Sequence, residues 1–194
     1  MKKRHIITIA GGLGSGKSTT AKLVATELKY PHHSGGDFMR AMAAERGVSL
    51  EELGVLAKND SAIDQEIDQK QKEFMDTHDN FVIDSRLGWF LAPESFKVFL
   101  LLDPDVAATR VLKDFEDNAA KRKGEATETP KTVDEVKANQ EKRVASERER
   151  YKKYYGIEDH YALENFDLVI DTGVHSKKEA AAMVVAGFNT WLAE

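Results

Sequence analysis

Residues 6–19, IITIAGGLGSGKST, decide how the rest of the chain is read. Ile6, Ile7 and Ile9 form a short β-branched run ending in Ala10, and Gly11, Gly16, Lys17 and Ser18 then fill the four fixed positions of a phosphate-binding loop. Ala21, Val24, Ala25 and Leu28 follow at helical intervals, so the stretch predicts strand, loop and helix. Glycines here let successive backbone N–H groups curl around a triphosphate, where a Cβ would block the approach. The expected nucleotide contacts are Gly11, Gly12, Leu13, Gly14, Ser15, Gly16, Lys17, Ser18 and Thr19. Lys17 is expected to reach the β and γ phosphates, and Ser18 to ligate Mg²⁺, with the positive end of the helix aimed at the same anion. ATP and Mg²⁺ are therefore the cofactors expected. A glycine-rich strand-to-helix turn that binds nothing is the alternative, and the flanking strand and helix argue against it.

Length and composition bound the rest. A chain of 194 residues with 41 % hydrophobic content fills one core and is short for two, so a single domain over residues 1–194 is expected. A net charge of -5 argues against general nucleic-acid or membrane-surface binding. Without cysteine there is neither a disulfide framework nor a thiolate metal site. Lys2, Lys3 and Arg4 precede an apolar stretch too short for a signal peptide, and no segment approaches a transmembrane span. A cytoplasmic monomer that takes small-molecule nucleotides, not nucleic acid or membrane, is the expectation.

Strand and helix signals alternate along the chain. Residues 29–34 predict a second strand, held to an edge or a strand start by Pro31. Gly35, Gly36 and Asp37 are expected to break it before a helix that Gly47 ends, and Ser49 with Glu52 spells a capping box for the next helix. Asp60 caps a further helix with Ile63, Ile67 and Phe74 on one stripe, which makes residues 35–78 a helical excursion. Strands are expected at 81–83, ending at Asp84; at 96–102, ending at Asp103; and at 166–171. Ala180, Val184, Gly187, Phe188 and Trp191 mark an amphipathic closing helix. The pattern predicts an α/β fold with a doubly wound, mainly parallel five-stranded sheet whose ligands sit at the strand C-termini. Residues 105–159 form a long charged stretch, with a break at 124–130 and a helix over 133–155, and composition alone reads it as a solvated hairpin.

Phosphoryl transfer needs cations around the moving group, and a phosphorylated acceptor needs a further cationic pocket. Arg143, Glu147 and Arg150 stand at i, i+4 and i+7 of the long helix and so share a face. They read either as a phosphate-binding set or as an ordinary salt-bridge ladder. Arg40, Arg86 and Arg110, each near a turn or an element end, are ambiguous in the same way. Asp84 reads as a carboxylate holding a Mg²⁺-bound water or as a cap, and the first is favoured because its strand is expected beside the loop. Asp103 with Pro104 reads as a helix start. His32 and His33 are read as structural, and Trp89, Phe90 and Phe99 as core.

The stretches GGLGSGKST, SGGDFMRAMAAERGVSLEEL, IDSRLGW and RVASERERYKKYYGIED together resemble the cytidylate kinase family, most closely its short archaeal-type branch. The resemblance runs from the first strand to about Asp171 and is weakest over 114–132, which is longer and more charged than the family lid. It implies ATP-dependent phosphorylation of CMP and dCMP to the diphosphate. It further implies that 35–78 contributes to the monophosphate site and 105–159 to a lid. Asp37, Arg40, Arg86, Arg143, Glu147 and Arg150 match positions around CMP and its phosphate, and Arg110 matches a basic residue of the lid. Lys17, Arg110, Arg143 and Arg150 are then the catalytic set, with Ser18 and Asp84 at the metal. Leu87 stands where bacterial relatives carry a polar residue that helps read cytosine, so base choice rests on the overall resemblance. A kinase for another monophosphate or small metabolite, and a non-catalytic ATP-binding regulator, are the rival readings.

Overall fold

A computed structural model describes residues 3–118 and 130–194, without the side chains of residues 58, 59 and 61. Residues 119–129, which carry most of the expected lid break, lie outside the described residues.

Five strands form one all-parallel sheet: β1 (Ile6–Gly11), β2 (His32–Ser34), β3 (Phe81–Asp84), β4 (Phe96–Leu101) and β5 (Leu168–Asp171), in the order β2-β3-β1-β4-β5. β1 is buried along its whole length. A parallel sheet covered on both faces has no solvent side, so its central strand reads as an apolar run without alternation. On one face Ile7, Ile9, Val82, Val98, Leu100 and Ile170 pack under α1 (Lys17–Leu28) and α8 (Lys177–Ala193). On the other, Ile6, Phe81 and Ile83 meet Met75, Leu87, Leu91 and Tyr151. β2 is an edge strand, as Pro31 requires, and is shorter than the expected 29–34.

The excursion between β2 and β3 is helical throughout: α2 (Gly35–Glu45), α3 (Leu50–Asn59) and α4 (Ser61–Thr77), closed on Met42, Leu53, Ile63 and Ile67. The Ser49–Glu52 capping box and the Asp60 cap are present as read. The Gly35–Asp37 turn differs from expectation, for Gly35 already lies in α2. Ser34 is its N-cap and Asp37 the third residue of a second capping box, which turns an apparent break into a helix start. A short helix after β3, α5 (Gly88–Leu91), has no signal of its own in the sequence.

Asp103 caps α6 (Pro104–Asp117), with Pro104 at its first position. Thr132 caps α7 (Val133–Tyr155), which Gly156 ends in the left-handed conformation at φ 70°. α6 and α7 pack through Ala108, Val111 and Val136. Tyr151 of α7 packs with Ile6, Phe81 and Ile83. Arg143 and Glu147 of the same helix share a cavity with Gly12, Phe99 and Leu100 at the C-terminal ends of β1 and β4, where an open parallel sheet takes its ligands. No helix among the described residues is long and apolar enough to cross a membrane.

Candidate active site

The loop after β1 is shaped by close backbone approaches. A Cβ on Gly11 would lie 2.6 Å from the Leu100 carbonyl oxygen, and one on Gly14, at φ +83°, 2.8 Å from that of Ala107 on α6. Ser15 Oγ donates to the Gly12 carbonyl at 2.8 Å and Lys17 Nζ to the same oxygen at 2.7 Å, which curls the loop around its own centre. Gly16, the N-cap of α1, offers no side-chain acceptor to the first-turn N–H groups. Those donors are left for an anion. Leu13, Ser18 and Thr19 are exposed at the rim.

Burial lowers the Lys17 ammonium to about 8, with Arg86 and Arg143 pushing the same way against Asp84 and Glu147. Lys17 therefore stands within electrostatic reach of all four groups. The Ser18 hydroxyl donates to Asp84 Oδ2 at 2.7 Å, and His32 Nε2 lies 2.6 Å from Asp84 Oδ1. Asp84 caps no helix. Its register explains the trio: in parallel pairing His32 sits opposite Val82, two residues before Asp84, so both side chains leave the sheet on the α1 side. His33 leaves on the other side, against Phe74 and Phe81.

Glu147 joins the second cationic group. It is buried on α7, with Oε1 accepting from Arg143 Nε at 3.0 Å and lying 3.2 Å from Arg86 Nε. Burial raises this carboxyl, but His160, Arg86 and Arg143 outweigh burial and bring it down to about 2. Burial likewise opposes the Arg86 charge, and Glu147 first, then Tyr161 and Tyr151, raise its pKa all the same. Both arginines meet the carboxylate through Nε, so their terminal nitrogens can turn to another anion. Tyr161 closes the group onto the loop, its hydroxyl 3.3 Å from the Gly11 carbonyl oxygen. A cavity of about 640 Å³ opens here, with Gly12, Leu13, Phe99, Arg86, Arg143 and Tyr161 in its lining.

The remaining expected residues lie further out. Arg150 pairs with Asp64 on α4 and stacks on the Tyr151 ring, its Cζ 4.8 Å from the centroid. It thus faces the helical excursion and not Glu147. Arg40 is exposed and pairs with Asp37, whose carboxylate also accepts from the Ser34 backbone N–H at 2.7 Å. Arg110 donates to the Thr172 carbonyl at 2.8 Å. Leu87 is buried in the core with Leu91 and Met75. Phe99 is buried as expected, whereas Phe90, expected in the core, is exposed. His32, read as structural, instead braces Asp84, while Asp64, His160 and Tyr161 went unread in the sequence. For His32 the parity of β2 against β3 is a usable signal; for the other three, which meet the site only through tertiary packing, there is none.

The profile of the cytidylate kinase-like family matches residues 6–174. The cytidylate kinase of Haloarcula marismortui is 37 % identical over 169 residues, 86 % of this chain and 80 % of that one. That of Archaeoglobus fulgidus is also 37 % identical, over 86 % of this chain and 85 % of its own. Among solved structures, the shikimate kinase of Acinetobacter baumannii in complex with shikimate superposes with a TM-score of 0.62 at 12 % identity, covering 98 % of this chain and 96 % of that one. At that identity the likeness concerns the fold alone.

Proposed function

The chain belongs to the cytidylate kinase-like family, and on that premise we propose that it transfers the γ-phosphoryl group of ATP to CMP and dCMP, releasing the nucleoside diphosphate and ADP. The observation that carries this reading is the pairing of Arg86 and Arg143 on the buried Glu147 carboxylate beside the phosphate loop, within electrostatic reach of Lys17. Two phosphate groups brought together repel each other; two arginines held by one carboxylate, with Lys17 held by the loop's own Gly12 carbonyl, offset that repulsion.

In this account the loop from Gly11 to Thr19 holds the ATP phosphates, with Lys17 on the β and γ groups. Arg86 and Arg143, held by Glu147, and Arg150 orient the acceptor phosphate. Asp37 and Arg40 border the acceptor on the side of residues 35–78. Arg110 and the remainder of 105–159 close over ATP. An acceptor phosphate oxygen forms the new bond to the γ phosphorus as the bond to the β–γ bridging oxygen breaks, and that oxygen leaves on ADP. A phosphate dianion is already nucleophilic, so no side chain need remove a proton, and positioning with charge supplies the rate.

Ser18 and Asp84 fit a hard cation, since a hydroxyl and a carboxylate oxygen stand 2.7 Å apart at the helix start. Among the described residues no group of three or more acidic, His or Cys side chains could hold a metal by itself. That suits Mg²⁺, which keeps waters and substrate phosphates as ligands. Bound there, it would neutralise developing phosphate charge. We take the enzyme to work as a cytoplasmic monomer on small-molecule nucleotides, in keeping with its charge of -5.

The test is CMP-dependent ADP release by wild type and Lys17→Ala. The wild type should turn over with CMP and the variant should lose nearly all of that rate; undiminished turnover by the variant would overturn the assignment.

A further inference from the structure

His160 is fully buried, and neither of its ring nitrogens has a hydrogen-bond partner. Burying such a ring costs stability unless something near it gains. What lies near it is Glu147: Nε2 stands 3.4 Å from Glu147 Oε2, the oxygen that itself has no hydrogen-bond partner. The two orphaned atoms are thus within ion-pair distance of each other. The other oxygen, Oε1, serves Arg143 and Arg86.

Contacts on several sides hold the ring. Gly156 turns the chain out of α7, and Arg148 pairs with Asp159 at 2.9 Å, clipping the following loop back to the helix. Asp159 Oδ1 accepts from the Tyr161 backbone N–H at 2.9 Å. The imidazole is then held between Tyr161, with ring centroids 4.1 Å apart, and Tyr151, edge-on at 5.0 Å. A ring fixed this way cannot leave the carboxylate without unpacking two tyrosines.

We propose that His160 is a positioning residue, whose Nε2–H holds Glu147 Oε2 so that Oε1 presents Arg86 and Arg143 together to the phosphates. The negative carboxylate favours the N–H on the nitrogen that faces it. A carboxylate restrained at a single oxygen can rotate about its last bond, and rotation would carry Oε1 away from the positions that pair both arginines. Restrained at both oxygens, it keeps the two guanidinium groups at a fixed separation, which is what a transferring phosphoryl group between two anions requires. His160 touches no substrate in this account. It acts through Glu147, and its effect on rate rests on the kinase reading above.

His160→Phe keeps the packing between the tyrosines and removes the donor, whereas His160→Gln keeps a donor. The phenylalanine variant should lower kcat with CMP about 10-fold or more while leaving KM for ATP within about threefold, and glutamine should restore most of the rate. If phenylalanine does not fold here, His160→Met serves as the variant without a donor. A second readout needs no substrate. The Arg143 Nε–H, followed by ¹⁵N-edited NMR in the ligand-free protein, should exchange with solvent markedly faster in the donor-less variant than in wild type or His160→Gln. Loss of CMP turnover by the wild type with this exchange pattern intact would sink the kinase reading and leave the positioning role standing. Variants that all match wild type in both measurements, or glutamine and phenylalanine equally impaired, would overturn the proposal.

Discussion

The Ser18 hydroxyl donates to Asp84 Oδ2 across 2.7 Å, joining the first turn of α1 to the end of β3. The neighbouring strand braces the same carboxylate through His32, so Asp84 is fixed from two sides before any ligand arrives. Its place at the strand end follows from register alone, since Ile9 and Asp84 are partners in the sheet. Asp84→Asn keeps the shape and removes the charge. It should lower kcat by about 10–100-fold and raise the Mg²⁺ concentration needed for half-maximal rate. An unchanged Mg²⁺ dependence, measured at fixed ATP and CMP, would remove Asp84 from the metal's surroundings.

Lys17 gives a pH dependence with a definite sign. Its pKa falls from 10.5 to about 8, so the ligand-free enzyme loses this charge as pH rises through about 8. The profile of kcat/KM for ATP reports the ligand-free enzyme and should fall above that pH. At saturating ATP the descending limb of kcat should move to higher pH, because the triphosphate charge favours the ammonium. A kcat/KM that stays level to pH 9.5 would contradict this environment for Lys17.

Arg150, paired with Asp64, can serve an acceptor phosphate only from the side of the helical excursion. Arg150→Ala should therefore raise KM for CMP by about 10–100-fold, the loss of one charge-assisted contact, and leave KM for ATP within about threefold. Equal effects on both substrates would place Arg150 between them instead.

Asp68 on α4 accepts from the Tyr155 hydroxyl of α7 at 2.9 Å, yet burial raises its carboxyl from 3.8 to about 6 despite that bond and Arg150. The native state thus holds the proton more tightly than the unfolded chain does. Stability should fall as pH rises from about 4 to about 6 and then level off. Asp68→Asn still offers Tyr155 an acceptor and carries no charge. It should raise Tm by a few degrees at pH 7.5 and leave it unchanged near pH 4; a lower Tm at pH 7.5, read by calorimetry, would contradict the burial account.

Much of the fold is legible because its signals are local. The loop motif, the Ser49–Glu52 box, the Asp103–Pro104 start and the 133–155 helix each depend on neighbours within a turn or two. The site is less so. Arg143 and Arg150 share a face of α7, but seven residues advance about 10 Å along a helix, enough to give the two different neighbours. Arg143 meets Glu147 beside the loop, and Arg150 meets α4. Ser34 and Asp37 spell a capping box that the glycine pair between them disguises. His160 reaches Glu147 because Gly156 reverses the chain, a contact that no periodicity announces.

The central claim is that the chain moves the γ-phosphoryl of ATP to a cytidine monophosphate. Its most direct test is ADP release by the purified protein with Mg·ATP against CMP, dCMP, UMP, AMP and GMP, with a control lacking acceptor. Strong stimulation by CMP and dCMP, well above the other nucleotides, is the predicted result. Stimulation by another monophosphate in their place, or by none, would contradict it.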